Sequence, residues 1–368
     1  MMPTIQEITT IADIQQLAVS GFTDWKQFGE VSVDRDGDLL IFNYTAKAQF
    51  AGRWNFFEQV SRGLIINYRT GEIVARAFDK FFNWFENGRK ASGHMVSVTE
   101  KVDGSLGILY RLNGAYRIAT RGAFHSQQAD WATQFLNTHH PNLNDLPNEL
   151  TLLFEIVYPE NRVVIDYGGF AGLVLLTARN RFSGAYLPFY PAVYELGQKY
   201  GFPLPKVFAF NNITEILEQT GQISASEEGY VVEFSSGERF KFKGDRYLEL
   251  HRLIFGLSFK HTLEAMANGT VDYIQAQIPD EFLGQFKGWV QQIETIISET
   301  KAQVQAAFEA APKSTRKDFA LWVQANHPQL ASYLFAFLDG KDIEPLIYRM
   351  AFQNVPDERI VHVTENTA

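Results

Sequence analysis

The chain has 368 residues, no cysteine and a formal net charge of −9, which excludes disulfide scaffolds, thiolate metal sites and cysteine nucleophiles. With 46% hydrophobic and 20% charged residues it reads as a soluble globular sequence, and at roughly 150 residues per domain its length suggests about two domains. The acidic balance argues against a surface that grips nucleic acid all over by counterion release, so any nucleic-acid site must gather the 33 lysines and arginines locally.

The N-terminus, "MMPTIQEITTIADIQQL", has neither the basic segment nor the long apolar core of a signal peptide, and no run of about 18 apolar residues occurs anywhere. A cytoplasmic protein with no membrane partner is the expectation. A short amphipathic segment (Ile8, Ile11, Ile14, Leu17) is followed by "VSVDRDGDLLIFNY", two β-like runs around Asp36-Gly37. The same hairpin pattern recurs in "GLIINYRTGEIVARAF", in "SLGILYRLNGAYRIATRG" with Asn113-Gly114 as a type I′ turn, and in "GYVVEFSSGERFKFKG". Between them lie a helix over residues 126–138 and two buried strands, "LTLLFEIVYP" and "GLVLLTARN". Beyond Asp245 the pattern becomes helical. "IPDEFLGQFKGWVQQIETIISETKAQVQAAF" opens on Pro279 and two acids and places Phe282, Phe286, Val290, Ile293, Ile297, Val304 and Phe308 on one face. Two more helices follow, the second stopped by Gly340, and the last residues, "VPDERIVHVTENTA", read as a loosely held tail. The fold class is therefore α+β: an antiparallel-sheet-rich domain over residues 1–250, then an all-α domain over 251–368.

In "TEKVDGSLGILY" Lys101 precedes an Asp-Gly turn at a strand end. Taken alone this motif is short enough to arise by chance. A lysine acts as a nucleophile only as the free amine, which needs cationic neighbours or desolvation. The sequence supplies such company. Glu155 sits in the apolar run "LFEIVYP", where a buried carboxylate must be paired, metal-bound or neutralised. Glu228 precedes a glycine and a β-run. Lys241 and Lys243, two apart in "RFKFKG", face the same way from one strand. An exposed sheet face would show the same alternation, so on this pattern a phosphate clamp and a solvated face both remain open.

In order, Lys101-Val-Asp103-Gly104, "FEIVYPENRVV", "EEGYVV" and "KFKGDRY" resemble the motifs of the covalent nucleotidyltransferase superfamily of polynucleotide ligases and mRNA capping enzymes. With "SRGLII" and "ARAFDKFFNWFEN" upstream and "TRGAFHSQQA" downstream, residues 38 to 252 resemble the phage T4 RNA ligase 1 family. The resemblance implies a nucleotidyltransferase (adenylation) domain and an ATP-dependent RNA ligase. Lys101 would form a lysyl-AMP phosphoramidate, AMP would pass to an RNA 5′-phosphate, and a 3′-hydroxyl would displace it. It implies ATP and Mg²⁺ (or Mn²⁺) as cofactors, and single-stranded or nicked-loop RNA as partner, in RNA or tRNA repair beside a separate end-healing kinase or phosphatase.

By position, Glu100 would help recognise adenine through its backbone, and Asp103 and Gly104 would set the turn that presents the lysine. Glu155 would contact the ribose or the metal side, with Phe154 as a weaker adenine contact. Glu228 would hold the metal, with Tyr247 as a partner in that shell. Lys241 and Lys243 would bind the α-phosphate and favour the free amine of Lys101, while Arg62 and Lys80 would orient the β- and γ-phosphates. Arg121 stands where the family can show lysine, and its role lies with RNA or a later step. In the family the C-terminal domain influences RNA choice, although no motif beyond about residue 255 carries this over. The competing readings are a non-catalytic RNA-end or nucleotide-binding module and, within the class, a DNA ligase or a capping guanylyltransferase. Eight scattered histidines form no metal spacing, no Gly-x-x-x-x-Gly-Lys-Ser/Thr loop occurs, and Asp34, Asp36 and Asp38 read as a hairpin turn rather than a calcium loop. The aromatic run Phe81, Phe82, Trp84 and Phe85 suits a core wall at least as well as base stacking.

Overall fold

The computed structural model describes residues 6–354, apart from 85, 141, 225, 249–257 and 278–282. Two compact units divide the chain, Met1–Ile254 and Phe255–Ala368. The 250/251 boundary, Phe85, the Pro279 helix start with Phe282, and the tail from 355 lie outside the described residues.

In the first unit, β1 (Val31–Asp36), β2 (Leu39–Tyr44), β3 (Arg62–Asn67) and β4 (Ile73–Ala75) form an antiparallel sheet in that order. The following strands are β5 (Phe82–Asn83), β6 (Met95–Glu100), β7 (Ser105–Leu112), β8 (Ala115–Ala119), β9 (Leu150–Val157), β10 (Gly172–Asn180), β11 (Gly229–Phe234) and β12 (Arg239–Lys243). They build a second sheet in the order β10-β9-β7-β8 and a third in the order β5-β12-β11-β6. Every pairing is antiparallel except the short β5–β12 contact. The four hairpins expected from the turn residues are all present. At the β7–β8 turn Asn113 and Gly114 both have positive φ, 52° and 84°, as a type I′ turn requires.

The sheets alternate with apolar layers. One face of the second sheet packs Leu152, Phe154 and Ile156 against Ala132 and Leu136 of the helix Gln127–His139, which Ser126 caps by accepting a hydrogen bond from the Ala129 amide. Its other face meets the first sheet through Ile108, Leu153, Ile41 and Ile65. The third sheet buries Val232, Phe240 and Phe242 beside Ile216 of the helix Ile213–Thr220 and Trp84. Burying each of these large side chains contributes about 1.5–3 kcal/mol, and this fixes the strand register. A one-residue slip of β12 would bring Lys241 and Lys243 into the core in place of Phe240 and Phe242.

The second unit is all-helical, with helices Phe259–Ala267, Val271–Gln277, Leu283–Ala310, Arg316–Asn326, Ala331–Leu338 and Glu344–Asn354. Phe286, Ile293 and Val304 of the long helix are buried, and Val304 joins Phe319, Val323, Leu334 and Ile347 in one core. Among the described residues no helix is long and apolar enough to cross a membrane.

Candidate active site

Lys101 stands on the four-residue step that carries the chain from β6 in the third sheet to β7 in the second. Its amide donates to the Gly229 carbonyl at 2.8 Å, so the lysine extends the β6–β11 pairing by one rung. The step is held by Asp103. Its Oδ2 accepts from the Val164 and Ile165 amides at 2.8 Å each, its Oδ1 accepts from the Tyr247 hydroxyl at 3.1 Å, and its amide donates to the Tyr167 hydroxyl at 2.7 Å. Gly104 has no room for a side chain, since a Cβ there would lie 2.5 Å from the Ile156 carbonyl oxygen and 3.0 Å from Glu155 Cγ. Gly229, with φ 145°, is equally constrained, because a Cβ would overlap the Phe242 carbonyl. Gly104 lets the lysine's step lie close on β9, and Gly229 lets β11 lie close on β12, where Lys101, Glu155 and Glu228 converge.

Glu228 is the hub of the charges. Its Oε2 lies 2.7 Å from Lys101 Nζ and its Oε1 lies 3.0 Å from Lys243 Nζ, with the carboxylate side chain 2% exposed. Burial pushes the Glu228 carboxyl up, but the two ammonium groups outweigh it and hold it below the ordinary glutamate value. Glu155 shows the opposite balance. Burial pushes it up to about 8, the Lys101 charge offsets part of that, and the Glu228 and Asp103 charges add to it. Two neighbouring carboxyls are thereby driven apart, Glu228 kept ionised and Glu155 kept protonated at neutral pH.

A cleft of about 610 Å³ opens over this cluster. Its walls bring Arg62, Lys101, Arg121, Arg239, Lys241 and Lys243 together against three carboxylates, Glu100, Glu155 and Glu233. A chain of net charge −9 has here gathered its cations locally, as anion binding requires. Arg62 has a buried Nη1 with no hydrogen-bond partner and its guanidinium 5.4 Å from the Phe81 ring. Arg121 donates to the Tyr44 hydroxyl at 3.2 Å and lies over that ring. The Glu100 amide donates to the Lys206 carbonyl at 2.8 Å, tying this wall of the cleft to the 206 segment.

Three expected positions differ. Phe154 is fully buried against Phe202, 4.7 Å between ring centroids, because strand alternation puts it on the face opposite Glu155; it does not line the cleft. Tyr247 is buried with its hydroxyl on Asp103, so it braces the turn rather than a carboxylate that could hold metal. Lys80, 6% exposed, lines a neighbouring cleft, and its Nζ lies 5.0 to 5.6 Å from the rings of Trp54, Phe82 and Tyr44. Two residues went unnoticed in the sequence. Arg239 shares a face with Lys241 and Lys243 by the same two-residue period and pairs with Glu233 at 2.8 Å; extending the pattern one step would have found it. Tyr167, on the Asp103 amide, carries no such signal.

Among the described residues no group of three or more His, Cys, Asp or Glu could hold a metal ion by itself. Glu228 presents carboxylate oxygens beside a phosphate-sized field of cations, and Glu155 would add its own once a cation displaced its proton. That donor set suits Mg²⁺ bound by one or two carboxylates and completed by substrate phosphates and water, not an all-protein cage.

Residues 60–247, just over half of the chain, match the family model described as RNA ligase, of the T4 RNA ligase 1 type. Over 247 residues the chain is 32% identical to a provisionally named bifunctional polynucleotide kinase/RNA ligase of Autographa californica nuclear polyhedrosis virus, covering 58% of this chain and 34% of that protein. An RNA ligase of Rhodothermus phage RM378 is 23% identical over 390 residues, covering 83% of this chain and 86% of that one. The chain spans 34% and 54% of the length of the viral relative and of a bacterial one from Thermovibrio ammonificans. Among solved structures, a Naegleria gruberi RNA ligase mutant with AMP and Mn is 20% identical, with a TM-score of 0.37 over 44% of this chain and 52% of that one. By its family match over residues 60–247, the chain belongs to the T4 RNA ligase 1 type of RNA ligase family.

Proposed function

We propose that this protein is an ATP-dependent RNA ligase that joins 5′-phosphate and 3′-hydroxyl ends through lysyl-AMP on Lys101 and an adenylylated RNA 5′ end. The observation that carries the reading is the bridge Lys101–Glu228–Lys243, in which one buried carboxylate fixes the candidate nucleophile beside a phosphate-binding cation. In the first step Lys101 sheds its ammonium proton, the free amine Nζ forms a bond to the α-phosphorus of ATP, the bond to the pyrophosphate oxygen breaks, and a second proton leaves the nitrogen. Glu228 Oε2, 2.7 Å away, is the acceptor within reach. Lys241, Lys243 and Arg62 spread the charge that builds on the phosphate oxygens, which is where catalysis of phosphoryl and nucleotidyl transfer gains most. Glu228 is the residue that would hold Mg²⁺, which when bound would supply further charge neutralisation to the phosphates. The protonated Glu155 carboxyl can donate a hydrogen bond to a sugar hydroxyl or phosphate oxygen at the floor of the cleft.

In the second step the RNA 5′-phosphate oxygen attacks the AMP phosphorus and the Lys101–phosphorus bond breaks. In the third, the 3′-hydroxyl attacks the RNA 5′ phosphorus and AMP leaves. Arg121, cationic and braced by Tyr44 at the cleft wall, serves these later steps. Residues 1–250 carry the chemistry and residues 251–368 bias the choice of RNA. A repair role beside an end-healing kinase or phosphatase is supported by the viral relative, whose name joins polynucleotide kinase and RNA ligase.

The deciding experiment is incubation with ATP and Mg²⁺ followed by intact mass. The wild type is expected to gain one AMP, mapped to Lys101, and to circularise 5′-phosphorylated single-stranded RNA; Lys101→Ala is expected to do neither. A wild-type protein that never gains AMP would refute the reading. GTP in place of ATP, and DNA ends in place of RNA, separate a capping enzyme or DNA ligase in the same assay.

A further inference from the structure

A second cleft of about 890 Å³ adjoins the first, and Phe81, Glu233 and Arg239 form the wall common to both. Five cations, Lys80, Arg89, Lys90, Arg179 and Arg239, line it against three carboxylates. Those carboxylates are already engaged. Asp79 is held by Arg179 through both oxygens at 2.9 and 2.6 Å, Glu233 by Arg239 at 2.8 Å, and Glu238 by the Ser92 amide and hydroxyl and the Ser236 hydroxyl. Internal pairing thus absorbs Arg179 and Arg239, and the rim keeps Arg89, whose charge also acts on Glu238, and the exposed Lys90.

Arg89 is built into this rim. Its guanidinium lies 3.8 Å from the centre of the Phe82 ring, whose other near cation is Lys80 Nζ at 5.4 Å, and its Nε is buried with no hydrogen-bond partner. A buried donor without a partner carries a desolvation cost that an incoming acceptor would relieve. Lys90 beside it is exposed, and Ser235, Ser236 and Gly237 of the β11–β12 turn close the far side. The cleft contains paired carboxylates, a fixed guanidinium, an open ammonium and hydroxyls. This is the chemistry of a sugar-phosphate backbone rather than of a base or an apolar ligand.

The geometry points to the second cleft as the channel for RNA. The phosphodiester backbone next to the reacting end lies across Arg89 and Lys90 and crosses the Phe81–Arg239 wall into the catalytic cleft. Naming RNA as the polyanion rests on the ligase reading; the anion site itself does not. The rival occupant is the ATP triphosphate tail, and the two are separable because only the latter is needed to load Lys101.

The test uses the full chain and two variants, Lys90→Glu, at an exposed position, and Arg89→Ala/Lys90→Ala. RNA affinity is read by anisotropy with a labelled 5′-phosphorylated single-stranded RNA across a range of salt, and lysyl-AMP formation by intact mass. RNA affinity is expected to fall by about tenfold or more, and the slope of log K against log salt to shrink by about 1.4 in the double variant, since each single-strand phosphate contact contributes about 0.7. Lysyl-AMP formation should stay within about twofold of wild type. Unchanged RNA affinity and salt slope in both variants would overturn it. So would a loss of AMP loading with RNA binding intact, which would assign the cleft to the triphosphate. If the wild type binds RNA through Lys90 yet never gains AMP, the anion channel stands and the ligase reading falls.

Discussion

The carboxyl of Glu155 makes the sharpest physical prediction. Its folded value of about 8 against an ordinary 4.5 means that the native state keeps a proton the unfolded chain has released. Between those values the folded protein binds more protons than the unfolded one, so this group makes stability fall as pH rises, and the loss is complete above about pH 8. At about 1.36 kcal/mol per pH unit, the contribution amounts to about 3 kcal/mol by pH 7 and at most about 5 kcal/mol above pH 8, reduced where the side chain meets the open cleft. Glu155→Gln replaces the carboxyl with a neutral isostere and removes this slope. Glu228 works in the opposite sense, since its lowered value contributes stability at neutral pH that is lost on acidification, and it is present in both proteins. Urea unfolding at pH 5.5, 7 and 8.5 should therefore show the variant gaining on wild type by up to about 3 kcal/mol across the series. Parallel curves would refute the protonated Glu155 and with it the division of labour between the two carboxyls.

Glu228→Gln should slow lysyl-AMP formation by about 10²-fold or more, because both Lys101 and Lys243 lose their buried anionic partner; rapid-quench measurement of the AMP adduct checks this. Asp103→Ala removes three accepted hydrogen bonds from a buried turn and should cost about 2–4 kcal/mol in urea unfolding, with AMP loading impaired at temperatures where the fold survives. Gly229→Ala, at φ 145° and against the Phe242 carbonyl, should destabilise by about 2 kcal/mol or more and lower Tm. Phe154→Leu should shift stability by about 1 kcal/mol and leave the KM for ATP unchanged, because the ring lies in the core away from the cleft.

The strands and their turns were legible because turn residues and two-residue alternation are local signals. Asn113-Gly114 and the Phe240/Lys241/Phe242/Lys243 alternation each state a geometry without help from distant residues. The same alternation also decides against Phe154, whose place follows from Glu155 facing the cleft, but only once the burial of β9 on both faces is known. Lys80 shows a harder case. Its neighbour Phe81 lines both clefts, and a linear motif cannot say to which side of a shared wall each side chain falls. Tyr167 and Tyr247 were unreadable in role because their partner, Asp103, is 64 and 144 residues away in sequence. The glycines 104 and 229 were visible as letters, yet their necessity comes from strands β9 and β12 pressing on them from far along the chain.

The bridge from Lys101 through Glu228 to Lys243 also sets how the site changes once loaded. Attaching AMP would remove the Lys101 ammonium and bring in a phosphoryl anion, lowering the local charge by about two elementary units, while Glu228 keeps Lys243 as its counter-ion. The loaded site, less cationic, would then hold a second ATP less strongly than an empty one. The cations of the neighbouring cleft take no part in that change, so their pull on a polyanion would persist after loading. The two clefts could then fill in sequence, nucleotide first and RNA second, through charge alone and without any movement of the sheets.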